Sequence, residues 1–151
     1  MTSDGQVASK LAIQELCARY CHLLDSGDMD AWQELFSSAA VFEVPAFGWL
    51  AQGKEEIPAF IRKILPFEFG DFKHLPSSHA IEASDDGNFA SGMLDFQFVA
   101  LNQQEPVVAM VGYYTDEYVK EGQQWRFMRR CIHPMMVGSA LTNALAAKGA
   151  L

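Results

Sequence analysis

Apolar residues recur every three or four positions in the first half of the chain and every second position in the second half. Leu16, Tyr20 and Leu24 stand four apart, with Leu11, Ile13 and Cys17 beside them, which predicts a helix over 7–24. Ser26-Gly27 ends it, because glycine takes the left-handed cap conformation without a Cβ clash. Asp28 is placed as the N-cap of a shorter helix over 29–36, whose buried stripe is Trp32, Leu35 and Phe36. A short strand over 40–44 stops at Pro45, and Phe47-Gly48-Trp49-Leu50 reads as an apolar loop. A third helix over 54–65 carries Ile57, Phe60, Ile61, Ile64 and Leu65 on one face. Pro58 falls in its first turn, where a missing N–H is tolerated.

Beyond an irregular aromatic stretch at 67–73 the period changes to two. Strands are predicted over 74–83, 89–101, 107–120 and 124–134, joined by turns of hairpin length at 86–88, 102–106 and 121–123. In the second of these strands Ala90, Gly92, Leu94, Phe96, Phe98 and Ala100 share one face. Ser91, Asp95 and Gln97 share the other with Met93 and Val99. One apolar and one mixed face suit a sheet with helices on one side and solvent or a partner on the other. Helices followed by a run of antiparallel strands is an α+β arrangement. The expected architecture has N-terminal helices packed on a curved antiparallel sheet that encloses one apolar pocket. This domain covers 1–134. The tail over 135–151, rich in alanine and poor in charge, fits a short helix that closes the pocket or docks on a neighbouring subunit, or else a frayed end.

With 151 residues, half of them hydrophobic, the chain is long enough to bury a continuous core without staples. Its 11 phenylalanines favour a large apolar interior, compatible with a pocket for a flat ligand. A net charge of −8 without a basic stripe argues against nucleic acid and against anionic membranes. The first residues lack an apolar signal core and no run reaches membrane-spanning length, which leaves the cytoplasm as the expected location. Cys17, Cys21 and Cys131 are an odd set without framework spacing, unlike a secreted disulfide scaffold. Cys17, Cys21 and His22 match no zinc spacing, and small core cysteines are the favoured reading. There is no glycine-rich phosphate loop and no Ser-His-Asp ordering, and His74, His79 and His133 do not make a metal set. No cofactor and no metal is expected.

The order of short motifs carries a resemblance. R-Y-C-H-L-L-D at 19–25 is followed by G-D-M-D-A-W-Q-E-L-F at 27–36, A-V-F-E at 40–43 and G-K-E-E-I at 53–57. K-H at 73–74, G-Y-Y-T-D-E-Y at 112–118 and G-Q-Q-W-R-F at 122–127 complete the series. With these pieces the chain resembles, from about Leu11 to Ile132, the SnoaL-like proteins of the nuclear-transport-factor-2-like superfamily, which implies a cystatin-like α+β cone. Within it the chain looks closest to the dehydratase branch of scytalone dehydratase and bile-acid 7α-dehydratase. The resemblance implies a Tyr and an Asp five apart at the end of the first helix and a catalytic His at the start of the first long strand. Tyr20, Asp25 and His74 occupy those positions. The branch carries further polar residues on later strands. Here the inward positions of 94–98 are apolar, and His133 is the candidate substitute. The resemblance also implies a homo-oligomer, trimer or dimer.

Removing water from a hydroxy-carbonyl compound needs a base for the α-proton, a donor for the enolate oxygen and an acid for the leaving hydroxyl. Histidine suits the first and third tasks because it titrates near neutrality. A tyrosine hydroxyl in a dry pocket suits the second. The resulting assignment gives His74 the acid/base role, Asp25 the orienting role and Tyr20 the oxyanion-donor role. His133, Tyr113, Phe42, Trp49 and Phe98 are candidate pocket residues. Each has a plain structural reading as well: Tyr20 as core, Asp25 as the start of a turn, His74 as a hydrogen-bonded structural histidine, and the aromatics as packing. The leading expectation is a cofactor-independent, scytalone dehydratase-like carbon–oxygen lyase acting on a small apolar, cyclic or polycyclic hydroxy-carbonyl substrate. The alternatives are a ketosteroid-isomerase-like isomerase or polyketide cyclase with Asp25 as base, a small-molecule-binding protein without chemistry, or a structural subunit.

Overall fold

The computed structural model describes residues 2–151. Helix α1, Ser3–Ser26, begins ahead of its apolar period because Thr2 caps it, its hydroxyl oxygen accepting the Gly5 N–H at 3.1 Å. Gly27 ends it at φ +82°, and the Phe69 ring packs so tightly on this glycine that a Cβ would lie 2.8 Å from Phe69 Cγ. Asp28 caps α2, Met29–Gln33, by accepting the Ala31 N–H. This helix is shorter than its apolar stripe suggests. Leu35 accepts the Phe127 N–H at 2.9 Å and Phe36 opens strand β1, Phe36–Val44, so sheet pairing draws both residues out of the helix.

A 3₁₀ turn at Pro45–Phe47 leads into β2, Trp49–Gln52, which pairs antiparallel with β1 where the sequence suggests a loop. Helix α3, Glu56–Ile64, buries Ile57, Ile61 and Ile64. Four long strands follow: β3, Phe72–Ala83; β4, Phe89–Asn102; β5, Glu105–Glu121; and β6, Gln124–Val137. Strand β6 continues through 135–137, so the chain leaves the sheet at Gly138 and forms α4, Ser139–Ala147. The sheet order is β2-β1-β6-β5-β4-β3. All neighbours are antiparallel except β1 and β6, which run parallel, so the sheet is mixed rather than purely antiparallel.

The helices cover one face of the sheet. Ala90, Leu94, Phe96, Phe98 and Ala100 of β4 are buried on that face, as the alternation predicts. Tyr20 and Trp32 meet at 5.3 Å between ring centroids, Trp32 and Phe36 at 4.8 Å, and Tyr20 and Phe127 at 5.5 Å, joining α1, α2, β1 and β6 into one core. Two of the sheet's bulges decide which titratable residues point into this core. Ser78, at φ +52°, is an extra residue in β3, so that both His74 and His79 face inward. Met128 is an extra residue in β6, because Tyr118 pairs with Phe127 while Glu117 pairs with Arg129. Among the described residues no helix is long and apolar enough to cross a membrane.

Candidate active site

The open end of the cone holds a cavity of about 90 Å³. Tyr20 and Leu24 reach it from α1, His74 from β3, Phe96 and Phe98 from β4, Tyr114 from β5 and Ile132 from β6. Phe42 lines it from β1 and Trp49 from β2, with Leu141 and Leu145 of α4 opposite. Among these residues His74 and the two tyrosines bring polar side chains, and the Trp49 indole N–H is taken up by the Ala150 carbonyl.

The end of α1 sets the geometry of the histidine. Asp25 lies just before the Gly27 cap, and its carboxylate meets the first residues of β3. Asp25 Oδ1 is 2.6 Å from His74 Nδ1, and the His74 backbone N–H lies 3.2 and 3.1 Å from the two carboxylate oxygens. Lys73 Nζ stands 3.8 Å from Oδ2. Both side chains are 10% exposed. An ionised carboxylate only accepts, so Nδ1 carries the proton, and Nε2 is left with the free lone pair on a ring that lines the cavity. The Asp25 oxygens are taken up by His74, so the histidine rather than the carboxylate is the group free to act as a base. The His74 ring is braced by Phe98, with centroids 4.8 Å apart, and by Phe72 at 5.9 Å.

Tyr20 comes beside this pair, its ring centroid 6.2 Å from that of His74. Burial pushes the Tyr20 and Tyr114 phenols well above their ordinary range, with Arg130 opposing, so both stay protonated and act as hydrogen-bond donors rather than bases. Behind them lies a group that sequence reasoning missed. The Arg130 guanidinium is wholly buried, with its carbon 3.8 Å from the Tyr114 ring centroid, 4.2 Å from Tyr20 and 4.3 Å from Phe127. It donates to Asp116 at 2.9 Å from Nε and 2.7 Å from Nη2. Tyr118 O–H donates to the same carboxylate at 2.8 Å, and His79 Nε2 lies 3.2 Å from that hydroxyl. Since the tyrosine proton is committed to Asp116, His79 presents its Nε2–H to the phenol oxygen. Burial opposes the Arg130 charge, but Asp116 outweighs it and holds the guanidinium firmly protonated. Arg130 Nη1 has no partner among the described residues. Cys17 sits against the same cluster, 3.7 Å from Arg130 Nη2, and burial raises its thiol to about 11.

The alternation hid this cluster. Counted from Trp125 and Phe127, position 130 points outward, and only the Met128 bulge turns it in. Asp116 carried the legible signal, since it shares a strand face with Tyr114 and Tyr118, and an acid on so apolar a face needs a cation. The same bulge takes one expected pocket residue, His133, out of the pocket, and simple alternation with the inward Tyr114 on β5 takes out another, Tyr113. His133 and Tyr113 lie on the outer face of the sheet, their rings stacked at 4.6 Å and 14°, with His133 Nε2 2.8 Å from Thr115 Oγ1. Phe42, Trp49 and Phe98 do line the cavity. His79 belongs to the structural network just described, and Cys17, Cys21 and Cys131 are free and buried. Among the described residues no three His, Cys, Asp or Glu side chains gather as a metal site.

The helix-covered, curled, six-stranded sheet defines the fold class. The chain belongs to the SnoaL-like domain family, which it matches over residues 5–131. Among solved structures it is similar to Rv3472 of Mycobacterium tuberculosis, a protein of unknown function, at TM-score 0.83 and 23% identity over 98% of this chain and 92% of that one. A Novosphingobium aromaticivorans protein assigned as a scytalone dehydratase aligns at TM-score 0.78 and 21% identity, covering 91% of each chain. Hexachlorocyclohexane dehydrochlorinase LinA-type3 of Novosphingobium barchaimii aligns at TM-score 0.77 and 16% identity over 91% of this chain and 93% of that one. At these identities the likeness establishes a shared cystatin-like α+β fold.

Proposed function

We propose that the protein is a cofactor-independent carbon–oxygen lyase that removes water from a cyclic hydroxy-carbonyl compound. The observation that carries this reading is the His74–Asp25 pair at 2.6 Å, locked by the His74 backbone N–H at the wall of an apolar cavity. His74 Nε2 takes the α-proton, and its electron pair moves into the enolate. The Tyr20 hydroxyl donates to the enolate oxygen, and Tyr114 is a second phenol in the same cavity. Asp25 stabilises the imidazolium that forms. The imidazolium then returns its proton to the β-hydroxyl on the same face, the C–O bond breaks, and water and the conjugated carbonyl compound leave. No group outside the chain is required for this balance.

The test is the appearance of conjugated-carbonyl absorbance from a panel of cyclic hydroxy-ketones. Turnover by the wild type should fall by about 10²–10⁴-fold in His74→Ala. Turnover that survives this substitution refutes the assignment of the base. A second reading follows from the apolar lining, which suits a neutral halogenated ring as well as a ketone. The same histidine would then take a proton while halide departs, and halide release would be measured in place of absorbance.

Self-association belongs to the same proposal. The uncovered face of the sheet carries Arg129 and His133 on β6 and Glu82 on β3, with Met93 47% exposed between them. Arg129 is already paired with Glu43 within the chain, so the face is polar at its edges and apolar at Met93, and a second copy turned through a half rotation can pair with it.

A further inference from the structure

The residues of the cavity wall that retain exposure point to its mouth. Phe47 and Trp49 follow β1, and Leu65 and Pro66 follow α3; all four line the cavity and are partly exposed. The C-terminal helix lies across this opening. Its Leu141 and Leu145, 4% and 2% exposed, face the cavity. Its near end is anchored at Gly138, whose N–H donates to the Ala109 carbonyl at 2.8 Å. Its far end is held by two hydrogen bonds, and both land on mouth residues: Trp49 Nε1–H donates to the Ala150 carbonyl at 3.0 Å, and Lys148 Nζ donates to the Leu65 carbonyl at 2.8 Å. Neither is an ion pair or part of a strand ladder, so each is broken at small cost compared with the β-sheet beneath.

The volume makes this arrangement matter. About 90 Å³ is less than the roughly 150 Å³ apolar cavity that accommodates benzene. A six-membered ring therefore does not pass to His74 and settle there while α4 stays where it is. The remaining walls are sheet residues, the packed faces of α1 and α3, and the short segments that carry Phe47, Leu65 and Pro66, whereas α4 is tied at one end, latched at the other and seated between them on the core through Leu141 and Leu145.

We infer that α4 is a hinged gate and the specificity-determining wall of this site: it swings from Gly138 when the Trp49 and Lys148 latches open, and Leu141 and Leu145 set the largest ring that reaches His74. This rests on reading the cavity as the substrate site, but not on which bond is broken there. The size limit falls on neutral rings, because a carboxylate would meet no cation on the cavity wall.

Binding kinetics test the gate apart from turnover. The probes are cyclohexanone and 1-decalone, neutral ketones with one and two rings, with rates measured by NMR exchange spectroscopy. Lys148→Met, alone and combined with Trp49→Phe, should raise association and dissociation rates together, by about 2–10-fold for each hydrogen bond lost. Leu145→Ala should improve decalone binding at least tenfold relative to cyclohexanone, whereas Ile132→Ala, which enlarges the opposite wall, should improve it by clearly less. Rates unmoved in both latch variants overturn the gate. Loss of Kd discrimination in Ile132→Ala equal to that in Leu145→Ala overturns the assignment of α4 as the selective wall, as does failure of either ketone to bind any variant. Size-selective, gated binding without turnover of the hydroxy-ketone panel would instead sustain the gate and count against the lyase reading.

Discussion

Replacing Asp116 by asparagine removes the counter-charge of a fully buried arginine. Asp116 is 2% exposed and Arg130 is 0% exposed, so water cannot step in. In the wild type the carboxylate accepts two guanidinium N–H bonds, at 2.9 and 2.7 Å, and the Tyr118 hydroxyl at 2.8 Å. An asparagine has one acceptor oxygen in place of two, and its NH₂ group would face a donor already aimed at it. The three aromatic rings around the guanidinium offset part of the lost attraction but do not neutralise the charge. Breaking such a pair from one side costs about 3–5 kcal/mol. That is a large share of the roughly 5–15 kcal/mol that holds a domain folded. With a urea m-value of about 2 kcal/mol per molar, the unfolding midpoint should drop by about 1.5–2.5 M with m unchanged. The double replacement Asp116→Leu with Arg130→Met removes both charges, and most of the loss should return, because apolar groups of similar volume replace buried ion pairs at little or no cost. Equilibrium urea unfolding followed by tryptophan fluorescence measures both variants. A midpoint shift below about 0.5 M for Asp116→Asn, or a double variant no more stable than the single one, would refute the argument that this pair is a dry, mutually dependent unit.

Asp25→Asn should retain acceptance from the His74 backbone N–H but lose the charge that supports the imidazolium, lowering kcat by about 10²–10⁴-fold with the fold intact; kcat within tenfold of the wild type in a folded variant would show that the pair is structural. Gly112→Ala places a Cβ 2.5 Å from the His133 carbonyl oxygen and 3.3 Å from the Phe96 ring, so two strands must part; the expected loss of about 1–3 kcal/mol should lower the melting temperature by roughly 2–12 °C, and an unchanged melt would contradict the register of β5 and β6. Burial, with Arg130 adding to it and Asp116 opposing, lowers the His79 pKa below the ordinary 6.5. The unfolded chain then takes up that proton first as pH falls, so this contribution to stability is complete above about pH 6.5 and is lost through the lower folded pKa. His79→Gln should flatten the stability profile between pH 7 and 5, and identical wild-type and variant slopes would argue against it. Sedimentation velocity should find an oligomer that Arg129→Glu weakens; a wild-type monomer at micromolar concentration would exclude self-association through this face.

The local rules reached far in some elements and stopped short in others, and the difference is physical. The helices and the long strands were legible because a period of 3.6 or 2 places apolar residues on one side whatever the chain later packs against. The inward set of β4, from Ala90 to Ala100, follows from alternation alone. The spacing of Tyr20 and Asp25 on α1 and the position of His74 made these residues candidates, through the likeness of their motifs to a family. Their meeting did not follow from periodicity, because Asp25 and His74 are 49 positions apart and join through a carboxylate accepting a strand backbone. Strand β2 and the parallel pairing of β1 with β6 were illegible, since which edges meet depends on where the helices deposit the chain. Single inserted residues made the largest difference. Ser78 turns His79 inward, and Met128 sends Arg130 into the core and His133 to the outer face, because one extra residue in a strand exchanges its two faces. Composition and period were therefore enough to call for an α+β fold with an apolar interior, and the likeness of the motifs to a family added the cone. Which charged groups that interior holds, and which side of the sheet carries each histidine, depended on bulges that only cross-strand pairing creates.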